Sequence, residues 1–276
     1  FWLKTRTVSV ALCLSREKVW KRQRQMAGDA TSLPSVESLR ALPAVWVDTP
    51  VGKVQVRFSR PAGFANAVAV LIHGMNSREE VRFEWGFLSD ALRGRRTAVV
   101  FPDLHSCEQT APGGAGSSED VGAALAAIAE WAKIETLKAD KCVEDEASLS
   151  TSDLPLLVYG KSWGGGRALE LCARPELSIA GLCLACPAID VAAQRSAIHA
   201  LRAPVLLMWA KDDNVIPFAQ HEILLEELRT RPSGHTIFSP VDCGGHSVSS
   251  MAANDEAASE KLANWPDIAL GPLRVT

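Results

Sequence analysis

The stretch LLVYGKSWGGG, residues 156 to 166, sets a lysine and a serine in a context that fits two unrelated chemistries. A phosphate-binding loop, G-x-x-x-x-G-K-[ST], would use Gly160, Lys161 and Ser162, with the N–H groups of a preceding glycine-rich arc around the phosphates. Its leading glycine would have to be residue 155, which is Pro155, and the glycines instead follow the serine at Gly164, Gly165 and Gly166. That arrangement fits G-x-S-x-G, in which small residues two before and two after a nucleophilic serine let a strand turn sharply into a helix. Its place directly after the apolar run LLVYG favours a nucleophile over a serine that merely caps a helix start.

A serine hydroxyl is a poor nucleophile at neutral pH. It needs a base within hydrogen-bonding reach, and that base needs a carboxylate to orient it. LLMWAKDDNVIP offers Asp212 and Asp213 straight after one apolar run, and SPVDCGGHS offers His246 straight after another. Serine, acid and histidine, each following a strand, would fall on one edge of a parallel sheet, where open α/β sheets hold their ligands. Asp190 is a remoter acid, while His199, His221 and His235 sit in surface, helix and strand patterns.

These residues need a scaffold that alternates strands and helices. AVWVDTPVGKVQVRFSRP predicts two strands around a Thr-Pro-Val-Gly turn, and AVAVLIHG a buried strand followed by a helix from about Ser77 to Leu92. TAVVFPD is the next strand, then a loop from Leu104 to Ser117, and then SSEDVGAALAAIAEWAKI, whose serines and early acids mark a helix start. Residues 138 to 153 read as a polar surface excursion. LPLLVYG, IAGLCLACPA, APVLLMWA and HTIFSPV are further strands, with helices predicted at RALELCAR, over Val191 to Leu201 and at AQHEILLEELRT. The alternation predicts a mostly parallel, doubly wound sheet with helices on both faces.

Taken together, residues 43 to 265 or so resemble the α/β-hydrolase superfamily, and that resemblance implies its fold. The family's acid commonly stands in D-x-[VI]-[VI]-P; Asp213, followed by Asn214, Val215, Ile216 and Pro217, matches, whereas Asp212 is one residue early and is the alternative acid. The resemblance implies an oxyanion hole made by the N–H of Trp163 and, carried over by position in VLIHGM, the N–H of Met75. His73 and Gly74 then shape that turn, which makes His73 structural and not the base. PDLHSCEQ departs from the family's glycine-rich DxxGxGxS and puts His105 and Cys107 near the site, as pocket wall.

Dehalogenases and epoxide hydrolases of this fold carry Asp at the elbow and dienelactone hydrolases carry Cys, so Ser162 implies a carboxylic ester, thioester, lactone or amide as the bond cleaved. Only residues 189 to 202 separate two strands where the family often inserts a lid, and no large cap domain fits there. The layout is similar to small cap-less carboxylesterases and dienelactone-hydrolase-like proteins. It implies a small-molecule acyl substrate and no metal or organic cofactor. A non-catalytic binding or adaptor protein on the same fold, and an acyltransferase on the same triad, are the alternatives.

The bulk properties fit one soluble α/β domain: 276 residues, 47% hydrophobic, net charge −3. Residues 1 to 25 hold seven Lys or Arg against Glu17 alone, which leaves the remainder acidic and favours no nucleic-acid partner. The apolar run from Val8 to Leu14 is too short to span a membrane, so no stable membrane insertion is expected. Met26 opens a plausible start, MAGDATSLPSVESLR, and residues 1 to 25 read as translated leader; were they genuine, their Arg-rich, acid-poor character would fit organelle targeting. The division is a basic extension over 1–42 and the hydrolase-like domain over 43–276. Seven cysteines are too few and scattered for a disulfide scaffold, which points to a reducing, cytoplasmic setting, with Cys183 and Cys186 as core thiols. No oligomeric state follows from the pattern.

Overall fold

The computed structural model describes residues 42–78, 82–140 and 154–271. Strand β1 (Ala44–Thr49) folds back on β2 (Gly52–Ser59) as a hairpin in register from Ala44 opposite Arg57 to Thr49 opposite Gly52. Alternation along β2 buries Val54 and Val56, as a strand with one face on the core requires. The sheet continues through β3 (Ala67–Ile72), β4 (Thr97–Asp103), β5 (Leu156–Lys161), β6 (Ile179–Ala185), β7 (Val205–Ala210) and β8 (Thr236–Val241). Its eight strands lie in the order β1-β2-β4-β3-β5-β6-β7-β8, with β2 antiparallel to β4 and all pairs from β4 to β8 parallel.

Strands β3, β4, β5 and β7 are buried along their whole length. That is why they read as continuous apolar runs: each has a helical layer on both faces. Helices α1 (Ser89–Gly94), α2 (Ser118–Asp140), α3 (Trp163–Cys172), α4 (Arg195–Ala200), α5 (Gln220–Arg229), α6 (Val248–Asn254) and α7 (Glu256–Leu270) form these layers. Helix α2 touches α3, α3 touches α4 and α4 touches α5, whereas α7 joins α1 and α6 in a second group. The Ser117 hydroxyl accepts from the N–H of Asp120 at the start of α2, the serine cap anticipated there.

Three departures from the predicted elements have physical causes. The helix expected from Ser77 to Leu92 is a 3₁₀ segment, Glu84–Leu88, running into α1. Glu84, Trp85, Gly86, Phe87 and Leu88 are all buried, so this segment has no solvent face on which an amphipathic α-helix could ride. The polar excursion begins later than expected, since α2 runs to Asp140, and residues 141–153 lie outside the described residues. Helices α6 and α7 were not anticipated; α7 contains Pro266, and Asp255 caps it by accepting from the Ala258 N–H at 3.1 Å.

Between β6 and β7 the chain forms only α4, so no large cap covers the sheet edge there. No helix among the described residues is long and apolar enough to cross a membrane. Among the described residues Cys107, Cys172, Cys183 and Cys186 are buried free thiols, whereas Cys243 is disulfide-bonded, which departs from the reducing setting expected from the cysteine pattern.

Candidate active site

The strand order reverses between β3 and β5, the switch point at which open α/β sheets leave a crevice beyond their carboxyl ends. Ser162 stands there, directly after β5, with φ 53° and ψ −127°. A side-chain-bearing residue at positive φ is strained, at a cost on the order of 1–3 kcal/mol, and persists only where its surroundings fix it. Here the Ser162 N–H donates to the Ala185 carbonyl at 3.1 Å, and its carbonyl accepts from Gly165 and Ala188, both at 2.8 Å. Gly164 must be glycine because a Cβ there would lie 2.2 Å from the His73 carbonyl oxygen. Helix α3 is thereby seated against the turn after β3. On the other side of that contact, a Cβ at Gly74 would sit 3.4 Å from the Ser162 Cβ, so the turn carrying Met75 adjoins the elbow. Met75 itself is 59% exposed, and Trp163 is half-buried under the Arg167 guanidinium, 5.7 Å from its ring.

The two aspartates after β7 divide the work of holding the histidine. Asp213 Oδ2 bonds His246 Nδ1 at 2.8 Å. Its Oδ1 accepts the N–H groups of Val215 at 2.9 Å and Ile216 at 3.0 Å, and Trp209 Nε1 donates to the Ile216 carbonyl at 3.1 Å, tying this turn to β7. Asp212 faces the other way and accepts the N–H of Gly245 at 2.8 Å and of Gly244 at 3.3 Å, anchoring the loop that presents His246. Both glycines have positive φ, 147° at Gly244 and 58° at Gly245, conformations open chiefly to glycine. Asp190 lies apart from this pair: its carboxylate accepts the Ala193 N–H at 3.1 Å and its carbonyl the Gln194 N–H at 2.8 Å, in the turn before α4.

Burial pushes the Asp213 carboxyl up, yet its bonds to His246, Ile216, Val215 and Cys186 outweigh this and hold it below the ordinary aspartate range. Cys186, Asp213 and His246 bring sulfur, carboxylate and ring nitrogen within 4.8 Å of one another, a spacing at which a metal could be held. The carboxylate is already occupied by four donors, and burial drives the Cys186 thiol well above its usual range. The cluster is therefore suited to a hydrogen-bonded acid–histidine pair with a protonated thiol behind it. Because Cys186 follows the Ala185 whose carbonyl receives Ser162, the cluster lies alongside the elbow. His246 Nε2 is buried and has no partner among the described residues.

His73 is built differently. Its Nδ1–H donates to the Gly74 carbonyl at 2.6 Å and its Nε2 accepts from the Leu104 N–H at 3.0 Å. Burial lowers its pKa to about 4, so it is a neutral strut between the turns after β3 and β4. His105 stacks on it with ring centroids 5.3 Å apart, next to the ion pair of buried Asp103 with half-buried Arg82. Cys107 points elsewhere: its sulfur contacts the Val51 carbonyl at 3.8 Å and Gln109 Oε1 at 3.3 Å, at the tip of the β1–β2 hairpin.

Two features went unread in the sequence. One is the loop-holding role of Asp212, for which a second acid beside the D-x-V-I-P match was the available signal. The other is a buried ion pair between Lys161 and Glu84, whose partners stand 77 residues apart with no local pattern to join them.

No family model and no curated protein matches the sequence. Solved structures do match. A dienelactone hydrolase from Anabaena variabilis is 22% identical over 80% of this chain and 96% of its own, with a TM-score of 0.53. An α/β serine hydrolase without a lid from Xanthomonas campestris is 18% identical over 82% and 94%, with a TM-score of 0.57. The esterase domain of a Rhodothermus marinus protein is 17% identical over 83% and 99%, with a TM-score of 0.57. The likeness of architecture to these structures identifies this chain as a protein of the α/β-hydrolase fold.

Proposed function

We propose that the protein is a serine hydrolase that cleaves a carboxylic ester, thioester or lactone through an acyl-enzyme. The observation that carries this reading is His246: one ring nitrogen is fixed by the buried Asp213, and the other is buried and unpartnered among the described residues, on the sheet edge where Ser162 is held at strained φ. In the proposed cycle His246 Nε2 takes the Ser162 proton as the hydroxyl attacks the acyl carbon. Asp213 holds the imidazole and stabilises its charged form, and the N–H groups of Met75 and Trp163 receive the oxyanion. His246 returns the proton to the leaving group, then activates the water that releases the acid.

The absence of a lid between β6 and β7 favours an open site. Exposed Met75 and Val215, 59% and 62% accessible, flank the oxyanion turn and the acid and offer an apolar rim for a small acyl substrate. The names of the structural neighbours, among them a dienelactone hydrolase and an esterase domain, support the same class of reaction.

A fluorophosphonate probe tests the proposal, applied to wild type, Ser162→Ala and His246→Ala with the labelled peptide identified by mass spectrometry. Labelling at Ser162 that disappears in both variants is expected. Folded wild-type protein that resists the probe would overturn the reading in favour of a binding scaffold.

A further inference from the structure

Lys161 comes from the Gly-Lys-Ser triplet, and the chemistry above gives it no task. Its side chain is only 5% exposed, and its ammonium pairs with Glu84, which is 6% exposed. The other oxygen of Glu84 accepts the Ser249 N–H at 3.3 Å and lies 3.5 Å from the Ser249 hydroxyl. Three elements of the site meet in this bridge. Lys161 ends β5 and immediately precedes Ser162; Glu84 opens the 3₁₀ segment beyond the oxyanion turn; Ser249 lies in the first turn of α6, which starts two residues after His246. The lysine stem also passes under the oxyanion turn, since a Cβ at Gly74 would lie 3.9 Å from Lys161 Cδ.

Stability alone does not account for such a pair. Withdrawing two charges from water costs several kcal/mol per ion, and well-packed apolar residues of similar volume are often as stable or more so. What charges add is direction: a hydrogen-bonded ion pair fixes distance and angle, whereas apolar side chains slide past one another. Asp212 and Asp213 hold the histidine loop to the turn after β7, but among the described residues His246 Nε2 makes no hydrogen bond that would set its distance from Ser162.

We propose that Lys161 and Glu84 are positioning residues that hold the nucleophile elbow and the histidine loop at their working separation. The proposal rests on the serine-hydrolase reading. Neither residue touches the reacting atoms; the pair acts through the backbones of Ser162 and of the turn after His246.

The test replaces both charges together, as Lys161→Met with Glu84→Leu, and follows hydrolysis of a short-chain p-nitrophenyl ester, phosphonylation of Ser162 and thermal unfolding. Misplacement of about 1 Å can cost on the order of 10²-fold in rate. The expected result is a wild-type melting temperature, a KM within about twofold, and a loss of roughly 30- to 100-fold shared by kcat and the phosphonylation rate. A purely structural pair would instead lower the melting temperature and leave the kcat of the folded protein intact, and that outcome overturns the proposal. So does a raised KM at unchanged kcat. Should the double variant not fold, Glu84→Asp keeps the charge but withdraws the carboxylate by one methylene; kcat must then fall at constant KM, and an unchanged kcat is equally fatal. Wild-type protein that does not react with the probe removes the hydrolase reading itself, whereas reactive wild type beside an equally reactive double variant removes only the positioning role.

Discussion

His73 and His246 each follow a strand and stand beside glycine, HG in one case and GGH in the other, on the same edge of the sheet, although β3 is fully buried and β8 is the outermost strand. Their surroundings give them opposite chemistries. His73 has both ring nitrogens committed to backbone groups, and burial lowers its pKa to about 4. His246 has one nitrogen on a buried carboxylate and the other left unbonded. A histidine suited to act as a base thus differs from a structural one less in its burial than in what stands behind it and what is left open in front.

The contrast breaks most visibly at His246 itself. Replacing it with alanine should reduce kcat by about 10⁴-fold or more, as removal of a member of a cooperating triad does, measured on an activated ester with folding checked by circular dichroism. If His73→Gln lost as much activity, the assignment of roles would be reversed. Asp213→Asn comes next, with a loss of roughly 10³- to 10⁴-fold, because a neutral amide does not stabilise imidazolium and its NH2, turned toward Nδ1, holds the imidazole in the wrong tautomer. Asp212→Ala should cost only about tenfold, since it removes two backbone hydrogen bonds worth about 1 kcal/mol each from the loop and leaves the acid in place. Equal losses at the two aspartates would show that the loop anchor matters as much as the acid.

The smallest effect separates the two histidines by pH. Folded His73 takes up a proton only near pH 4, whereas in the unfolded chain it does so near 6.5. Between those values the unfolded state binds the additional proton, so stability falls as pH drops from 6.5 toward 4, by about 3 kcal/mol at most. Urea unfolding at pH 7 and pH 4.5 should show this slope, and His73→Gln should flatten it. Asp213 acts in a lower window: its depressed carboxyl contributes stability above the ordinary aspartate pKa of 3.8 that is lost only as pH falls through the folded value.

The candidate residues Ser162, Asp213 and His246 stand out in the sequence because each is marked locally, by a glycine-flanked turn or a short acid–proline spacing after an apolar run. The same locality explains the sheet, since β3, β5 and β7 are unbroken apolar runs. What escaped depends on distant partners. Glu84 looks like a polar residue on the outer face of a helix until Lys161 and Ser249 are brought to it, and its inward turn belongs with the 3₁₀ segment that replaced the expected helix. Helix α7 accommodates Pro266 although its ring removes a backbone bond, because Trp265 beside it is fully buried.

On the proposed hydrolase reading, the order of the strands also sets when the protein would become reactive. A chain emerging from the ribosome delivers β3 and β5, and so the turn with Met75 and the elbow with Ser162, well before β7 and β8 bring Asp213 and His246. In that reading Ser162 would be an ordinary alcohol until the last parallel pair has zipped onto the sheet edge. Nascent chains would then be inert, and competence would arrive with the completion of the fold.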